Sequence, residues 1–144
     1  MLAFHSDPGL KDFLIADLEA HKLADTLTKR LYWQDGKGCA VGCSLEAVRR
    51  RPGKGKKSRS KINHSDHSAY EVYLGIPRIL ARLEDLMFEE LENGHSKEWP
   101  LRFTRAIRPG ANLTMVWPRF ALWLLTEFIP PIAKADKTKN VETA

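Results

Sequence analysis

Both cysteines of the chain fall in one glycine-rich octapeptide, Gly36-Lys37-Gly38-Cys39-Ala40-Val41-Gly42-Cys43. Glycines let a backbone turn sharply and aim its N–H groups at an anion or a reacting atom. A thiolate at Cys39 or Cys43 would be stabilised by such N–H groups and by Lys37. The spacing is not a nucleotide fingerprint. The dinucleotide motif needs G-x-G-x-x-G after a strand, and the phosphate loop needs Gly-Lys-Ser/Thr at its end. What the pattern supports is an anion nest of Lys37, Gly38 and Gly42 ahead of a short helix capped by Ser44 and running through Val48.

Three chemistries are open to these thiols. With His64 and His67 they would complete a Cys₂His₂ zinc site, although the two-residue gap between the histidines is shorter than the usual three to five. Either cysteine could be a nucleophile activated by His21 or by the His64/His67 pair. Or both are small thiols packed against a core.

A second constellation lies upstream. Asp17, His21 and Asp25 recur at four-residue steps within the helical arc that also carries Leu10, Phe13, Leu14, Leu18 and Ala24. A carboxylate–imidazole–carboxylate ladder turned toward a core is costly unless paired, hydrogen-bonded or metal-bound. His21 is then a base or ligand whose tautomer the carboxylates fix, or one part of a structural polar network under a covering loop. The octapeptide follows within a few residues and could fold back over it, which makes Asp17, His21, Asp25, Cys39 and Cys43 one catalytic set.

The net charge of +5 is local in origin. Residues 49–61 hold eight basic side chains and no acidic one: Arg49, Arg50, Arg51, Lys54, Lys56, Lys57, Arg59 and Lys61. Of 23 Lys and Arg residues that leaves fifteen against 18 Asp and Glu, a net −3 elsewhere. Such a run would track the phosphates of a nucleic acid or another polyanion without reading sequence. No aromatic residue interleaves it, so base stacking is not supported there. With Pro52, Gly53 and Gly55 and no apolar residue, 49–63 reads as a flexible, solvated insertion.

The positioning elements read as helices. Periodicity runs from Leu10 to Leu31, with Asp7 as N-cap and Pro8 at the first position. Ser65 or Ser68 opens a short helix to Leu74 that Gly75 breaks. Pro77 opens another, with Ile76, Ile79, Leu80, Leu83, Leu86, Met87 and Leu91 as its stripe and Asn93-Gly94 as its left-handed end. Two more follow, Lys97–Ile107 and Met115–Phe128, around the Arg108-Pro109-Gly110 turn. Tyr70–Leu74 is the one short strand candidate. The fold expected is all-α, a compact single domain (1–132) of about five helices with the basic loop inserted and a disordered polar tail at 133–144.

With 43% hydrophobic and 28% charged residues the composition is that of an ordinary globular protein. Met1–Asp7 has neither a basic cap nor a long apolar core, so no signal peptide is expected. Met115–Ile132 carries Arg119, Glu127 and three prolines, and reads as a buried helix rather than a membrane span. Two cysteines and no export signal point to the cytoplasm. Trp99, Trp117 and Trp123 suit a core or a dimer face equally.

Several signatures together resemble one family. Phe4-His5, Ala20-His21, Ala24-Asp25, Trp33 and the octapeptide are followed by Tyr70-Glu71, Leu74-Gly75-Ile76-Pro77, Leu80-Ala81-Arg82-Leu83-Glu84-Asp85, Phe88-Glu89 and Trp117-Pro118. In this order they resemble a family of small bacterial proteins marked by the octapeptide. That family has no established activity, so the resemblance implies no catalytic role for any residue, and residues 49–61 look like an insertion relative to it. Two functions therefore stand side by side. One is thiol- or metal-dependent chemistry on an anionic small molecule, and the other is non-enzymatic nucleic-acid binding or interaction through 49–61.

Overall fold

Asp7 accepts a hydrogen bond from the Leu10 amide at 3.2 Å, and Pro8 occupies the first turn, where its missing N–H costs least. These two residues start α1 (Pro8–Leu23), which buries Leu10, Leu14 and Leu18. The computed structural model describes residues 1–53 and 56–131, without the side chains of Lys56 and Ser58. Among them all regular structure is helical, with no strand and only isolated bridges between single residues.

The chain divides into two units, which are described separately. The first, residues 1–113, contains α1, α2 (Ala40–Arg50), α3 (Lys56–Arg59), α4 (Ala69–Leu74), α5 (Arg78–Glu90) and α6 (Asn93–Ala106). A single 3-10 turn, Ala3–Ser6, precedes them and buries Phe4. α1 packs on α2, α2 on α5, α5 on α6 and α6 back on α1, a closed ring of four helices with α4 set against α2 and α5.

α1 ends at Leu23, two turns short of the length its periodicity predicts. Asp25 and Arg30 take left-handed φ of 54° and 62°, which a continuing helix forbids. Leu27 is still buried, but it reaches the core from an irregular segment that pairs with Gly38.

α2 is the larger correction. The expected loop to Gly42 with a cap at Ser44 is instead a helix from Ala40, capped by the sulfur of Cys39, with Ser44 buried in its interior. Every residue from Ala40 to Val48 is buried. Its Ala, Gly, Cys and Ser side chains are what let neighbours close on it from all sides.

Tyr70–Leu74 is helical, and Gly75 ends α4 at φ 63° as expected. A Cβ at Gly75 would lie 2.1 Å from the Leu2 carbonyl oxygen, so only glycine fits. In α5 the buried positions are Leu80, Ala81, Glu84 and Phe88, while Ile79 and Leu86 of the expected stripe are exposed. Asn93-Gly94 opens α6 rather than closing α5, because Leu91 and Glu92 already break the helix in extended conformations.

The second unit begins at Thr114 and is described to residue 131. It holds α7 (Val116–Trp123), continued by a π-helical turn over Leu124–Phe128. The tail expected at 133–144 lies outside the described residues. No helix among those described is long and apolar enough to cross a membrane.

Candidate functional site

The segment from Asp25 to Cys39 closes on itself before α2 begins. Thr28 donates to the Gly38 carbonyl at 2.8 Å and Gly38 to that of Thr26 at 3.1 Å. Gln34 and Lys37 exchange two bonds of 2.9 Å, and Cys39 donates to Leu31 at 2.6 Å. The Tyr32 carbonyl then presses on the octapeptide: a Cβ would come within 2.2 Å of its oxygen at Gly38 and 1.4 Å at Gly42. These glycines admit a neighbouring backbone, not a ligand. Since the N–H groups of Lys37 and Gly38 bind carbonyls and that of Gly42 binds the Cys39 sulfur at 3.4 Å, the expected anion nest is already filled from within.

This packing brings Tyr32 and Cys39 to face α5. The Cys39 sulfur and carboxylate oxygens of Asp85 and Glu89 all lie within 4.8 Å of one another, a group that can hold a metal ion. A cleft of about 350 Å³ opens beside them, lined by Arg30, Leu31, Tyr32, Cys39, Asp85 and Glu89. Asp85 and Glu89 sit one helical turn apart on α5, so both reach the cleft. Asp85 Oδ2 accepts from His67 Nε2 at 2.9 Å and from the Tyr32 hydroxyl at 3.3 Å. Both oxygens of Glu89 accept from the Arg30 amide, at 2.9 and 3.0 Å. Each carboxylate is thus aimed by a partner of its own.

The thiols are not activated. Burial pushes the Cys39 thiol far above its ordinary value, and the negative charge of Asp85 adds to this against the opposing Gly42 N–H. Burial, then Asp17, pushes Cys43 up to about 12, and its thiol donates to the Gly38 carbonyl at 3.4 Å. Both are protonated at neutral pH, which corrects the expectation of a free thiolate nucleophile. A bound cation reverses that balance, because it favours the thiolate it ligates.

The zinc quartet of Cys39, Cys43, His64 and His67 does not assemble. His64 donates to Glu46 at 2.9 Å and His67 to Asp85, so only Cys39 of the four joins the metal-capable group. His67 stands behind that group as the partner of one of its carboxylates.

The upstream ladder forms by half. His21 Nε2 lies 3.5 Å from Asp17 Oδ2, but Asp25 has left the helix, is exposed and pairs with Lys97. Thr26 Oγ1 lies 2.7 Å from His21 Nδ1 and donates its own proton to the His21 carbonyl. The His21 ring meets Trp33 edge-on at 5.5 Å, and Trp33 stacks on His64 at 5.8 Å. Arg50 closes the circuit by bonding Asp17 at 2.7 Å and Glu46 at 3.3 Å. Burial works against the Asp17 carboxylate, but His21 and Arg50 hold it below its ordinary value. Asp17 and His21 therefore join Arg50 and Glu46 in one polar network apart from the Cys39 cleft, and with Thr26, Gly36 and Arg50 they line a second cleft of about 300 Å³.

The basic segment is largely tied down. Arg49 pairs with Glu46 at 2.6 Å and Arg51 with Asp7 at 2.8 Å. Arg59 is buried and donates to the carbonyls of Val48 and Gly53. Lys57 and Lys61 are exposed, and Lys54 lies outside the described residues. The solvated insertion expected at 49–63 thus contains α3 and four anchored arginines.

Arg30, Tyr32, Asp85 and Glu89 were not among the residues expected at a site. The one signal for them is the Asp85-x-x-x-Glu89 spacing, which puts two acids on one face of α5. Set against protein-family models, curated proteins and solved structures, the chain matches none.

Proposed function

We propose that the cleft between α2 and α5 is a metal centre in which Cys39, as thiolate, Asp85 and Glu89 hold one divalent cation. The observation that carries this is the convergence of those three donor atoms within 4.8 Å. One sulfur and two carboxylates are a mixed donor set that suits zinc, and three protein ligands leave a coordination position open. A site of that kind polarises a substrate oxygen or activates a bound water. Arg30, an exposed residue of the cleft lining, supplies positive charge for a small anionic substrate. His67 and Tyr32 fix Asp85, the outer support that ligating carboxylates need.

Nucleic-acid binding through 49–61 draws less support. Arg49, Arg50 and Arg51 would have to exchange Glu46, Asp17 and Asp7 for phosphates, and Arg59 would have to leave the interior.

Elemental analysis of purified and of zinc-reconstituted protein tests the metal reading. The expected result is one equivalent of metal, bound with release of protons as the thiol ionises. It should be lost in Cys39→Ser and in the Asp85→Asn/Glu89→Gln double variant, and kept in Cys43→Ser and His64→Gln. Absence of stoichiometric metal after reconstitution, or retention in Cys39→Ser, overturns it.

A further inference from the structure

The second cleft, between the last two turns of α1 and the turn that Gln34 and Lys37 close, has a chemistry of its own. One hydroxyl decides the state of its imidazole. Thr26 has a single hydroxyl proton and gives it to the His21 carbonyl at 3.1 Å, so its oxygen accepts from His21 Nδ1, 2.7 Å away. Neutral His21 therefore carries its proton on Nδ1, and Nε2 is left as a bare acceptor. What Nε2 faces is a second acceptor, Asp17 Oδ2 at 3.5 Å, beyond ordinary hydrogen-bond length. That oxygen is buried and has no hydrogen-bond partner among the described residues. Two acceptors left side by side are costly unless a donor joins them. The opposite charge stands next to them. Arg50 gives Nη2 to Asp17 and Nε to Glu46, which leaves Nη1 without a partner among the described residues, on a side chain 45% exposed.

We infer that this cleft binds the zwitterion of a small apolar α-amino acid, its ammonium donating to His21 Nε2 beside the Asp17 carboxylate and its own carboxylate meeting Arg50. Three features select that ligand. With His21 neutral, the charges lining the cleft are one carboxylate and one guanidinium. A molecule of both signs is matched by them, whereas a plain anion meets Asp17 and a plain amine meets Arg50. The rest of the α1 wall is Ala20 and Ala24, one turn apart, which offer methyl groups and no polar side-chain atom. The volume, about 300 Å³, is at the small end of ligand pockets and excludes a large side chain. None of these residues belongs to the Cys39 centre, so the two sites stand or fall independently.

Nitrogen NMR of the full chain, isotope-labelled at histidine and titrated with L-alanine at neutral pH, reads both halves of the inference. The free protein should show His21 as the Nδ1–H tautomer. L-alanine should then move the Nε2 resonance and saturate it with a Kd on the order of 1 mM or below. Ethylamine and propionate, which each keep one charge of L-alanine, should bind at least about tenfold more weakly. Arg50→Gln should weaken L-alanine by about the same factor and leave ethylamine unaffected, a selectivity that a merely structural role would not produce. Ala20→Leu guards against misfolding: it fills the cleft from an exposed helical position, so it should abolish binding with the His21 tautomer and the helical circular-dichroism signal unchanged. An Nε2–H or doubly protonated His21 in the free protein, no saturable shift up to roughly 50 times that Kd, ethylamine binding as tightly as L-alanine, or binding retained in Ala20→Leu would each overturn the inference.

Discussion

A carboxyl group with no exposed surface persists in a core chiefly as the neutral acid, and Glu84 on α5 is such a group. The Tyr70 hydroxyl approaches it and that of Ser44 approaches Tyr70, yet none of the three completes a well-formed hydrogen bond. Burial pushes Glu84 up to about 8 from the ordinary 4.5. The folded chain thus holds a proton that the unfolded chain releases between these values. Its stabilising effect is complete below pH 4.5, shrinks as pH rises and is gone above about 8. Each pH unit inside that window is worth at most ~1.4 kcal/mol. Glu84→Gln is neutral at every pH and nearly the same shape, so it should remove this slope. Urea unfolding at pH 5, 6.5 and 8 checks it: the variant should gain on the wild type steadily toward pH 8. Parallel curves would mean that Glu84 ionises within the core. Its neighbour Asp85 instead meets polar partners, His67 and Tyr32, at the edge of the cleft. One step along the helix separates a core residue from a site residue.

At the scale of elements, α2 shows how a close approach overrides propensity. In a helix interior Ala is worth up to ~1 kcal/mol over Gly. At Gly42, however, a Cβ would sit 1.4 Å from the Tyr32 carbonyl oxygen, a backbone atom held by the closed segment before it. Gly42→Ala should therefore destabilise by more than ~3 kcal/mol, as overpacked backbone does. Gly94→Ala in the first turn of α6, where nothing lies within 4 Å, should be neutral or slightly stabilising. Thermal melts of the two variants read the contrast, and equal effects would refute it. The same element explains what could be read in advance. Asp7-Pro8, Ser68, Gly75 and Pro77 act through their own backbone or that of near neighbours, so their boundaries were legible. The start of α2 was not, because Val41, Leu45 and Val48 keep helical steps of four and three but the glycines around its first turn read as a loop and its cap is a cysteine. Leu27 and Leu31 kept the helical spacing of α1 after the chain had left it: Leu27 still serves the interior from a loop, and the half-buried Leu31 lines the cleft.

At the scale of the molecule, the ring of four helices makes the site, and this is why composition and spacing did not reveal it. Cys39 begins α2, Asp85 and Glu89 lie beyond the middle of α5, and only the packing of α2 on α5 joins them. A cation held there would tie two sides of the ring together, and it binds the folded chain far better than the unfolded one, whose donors are dispersed. Linkage then sets the size of the effect: at a free metal concentration 100-fold above Kd, folding gains about 2.7 kcal/mol. Scanning calorimetry of the zinc-loaded chain should show a rise in Tm that a chelator reverses. Cys39→Ser should melt at one temperature with or without zinc. Cys43→Ser should keep the response, because its thiol faces the Gly38 carbonyl rather than the cleft. A rise shared by wild type and Cys39→Ser would place the metal elsewhere on the molecule. Thermal stabilisation confined to chains that retain Cys39, Asp85 and Glu89 is what separates a centre built by the helical ring from acids and a thiol that merely share an edge.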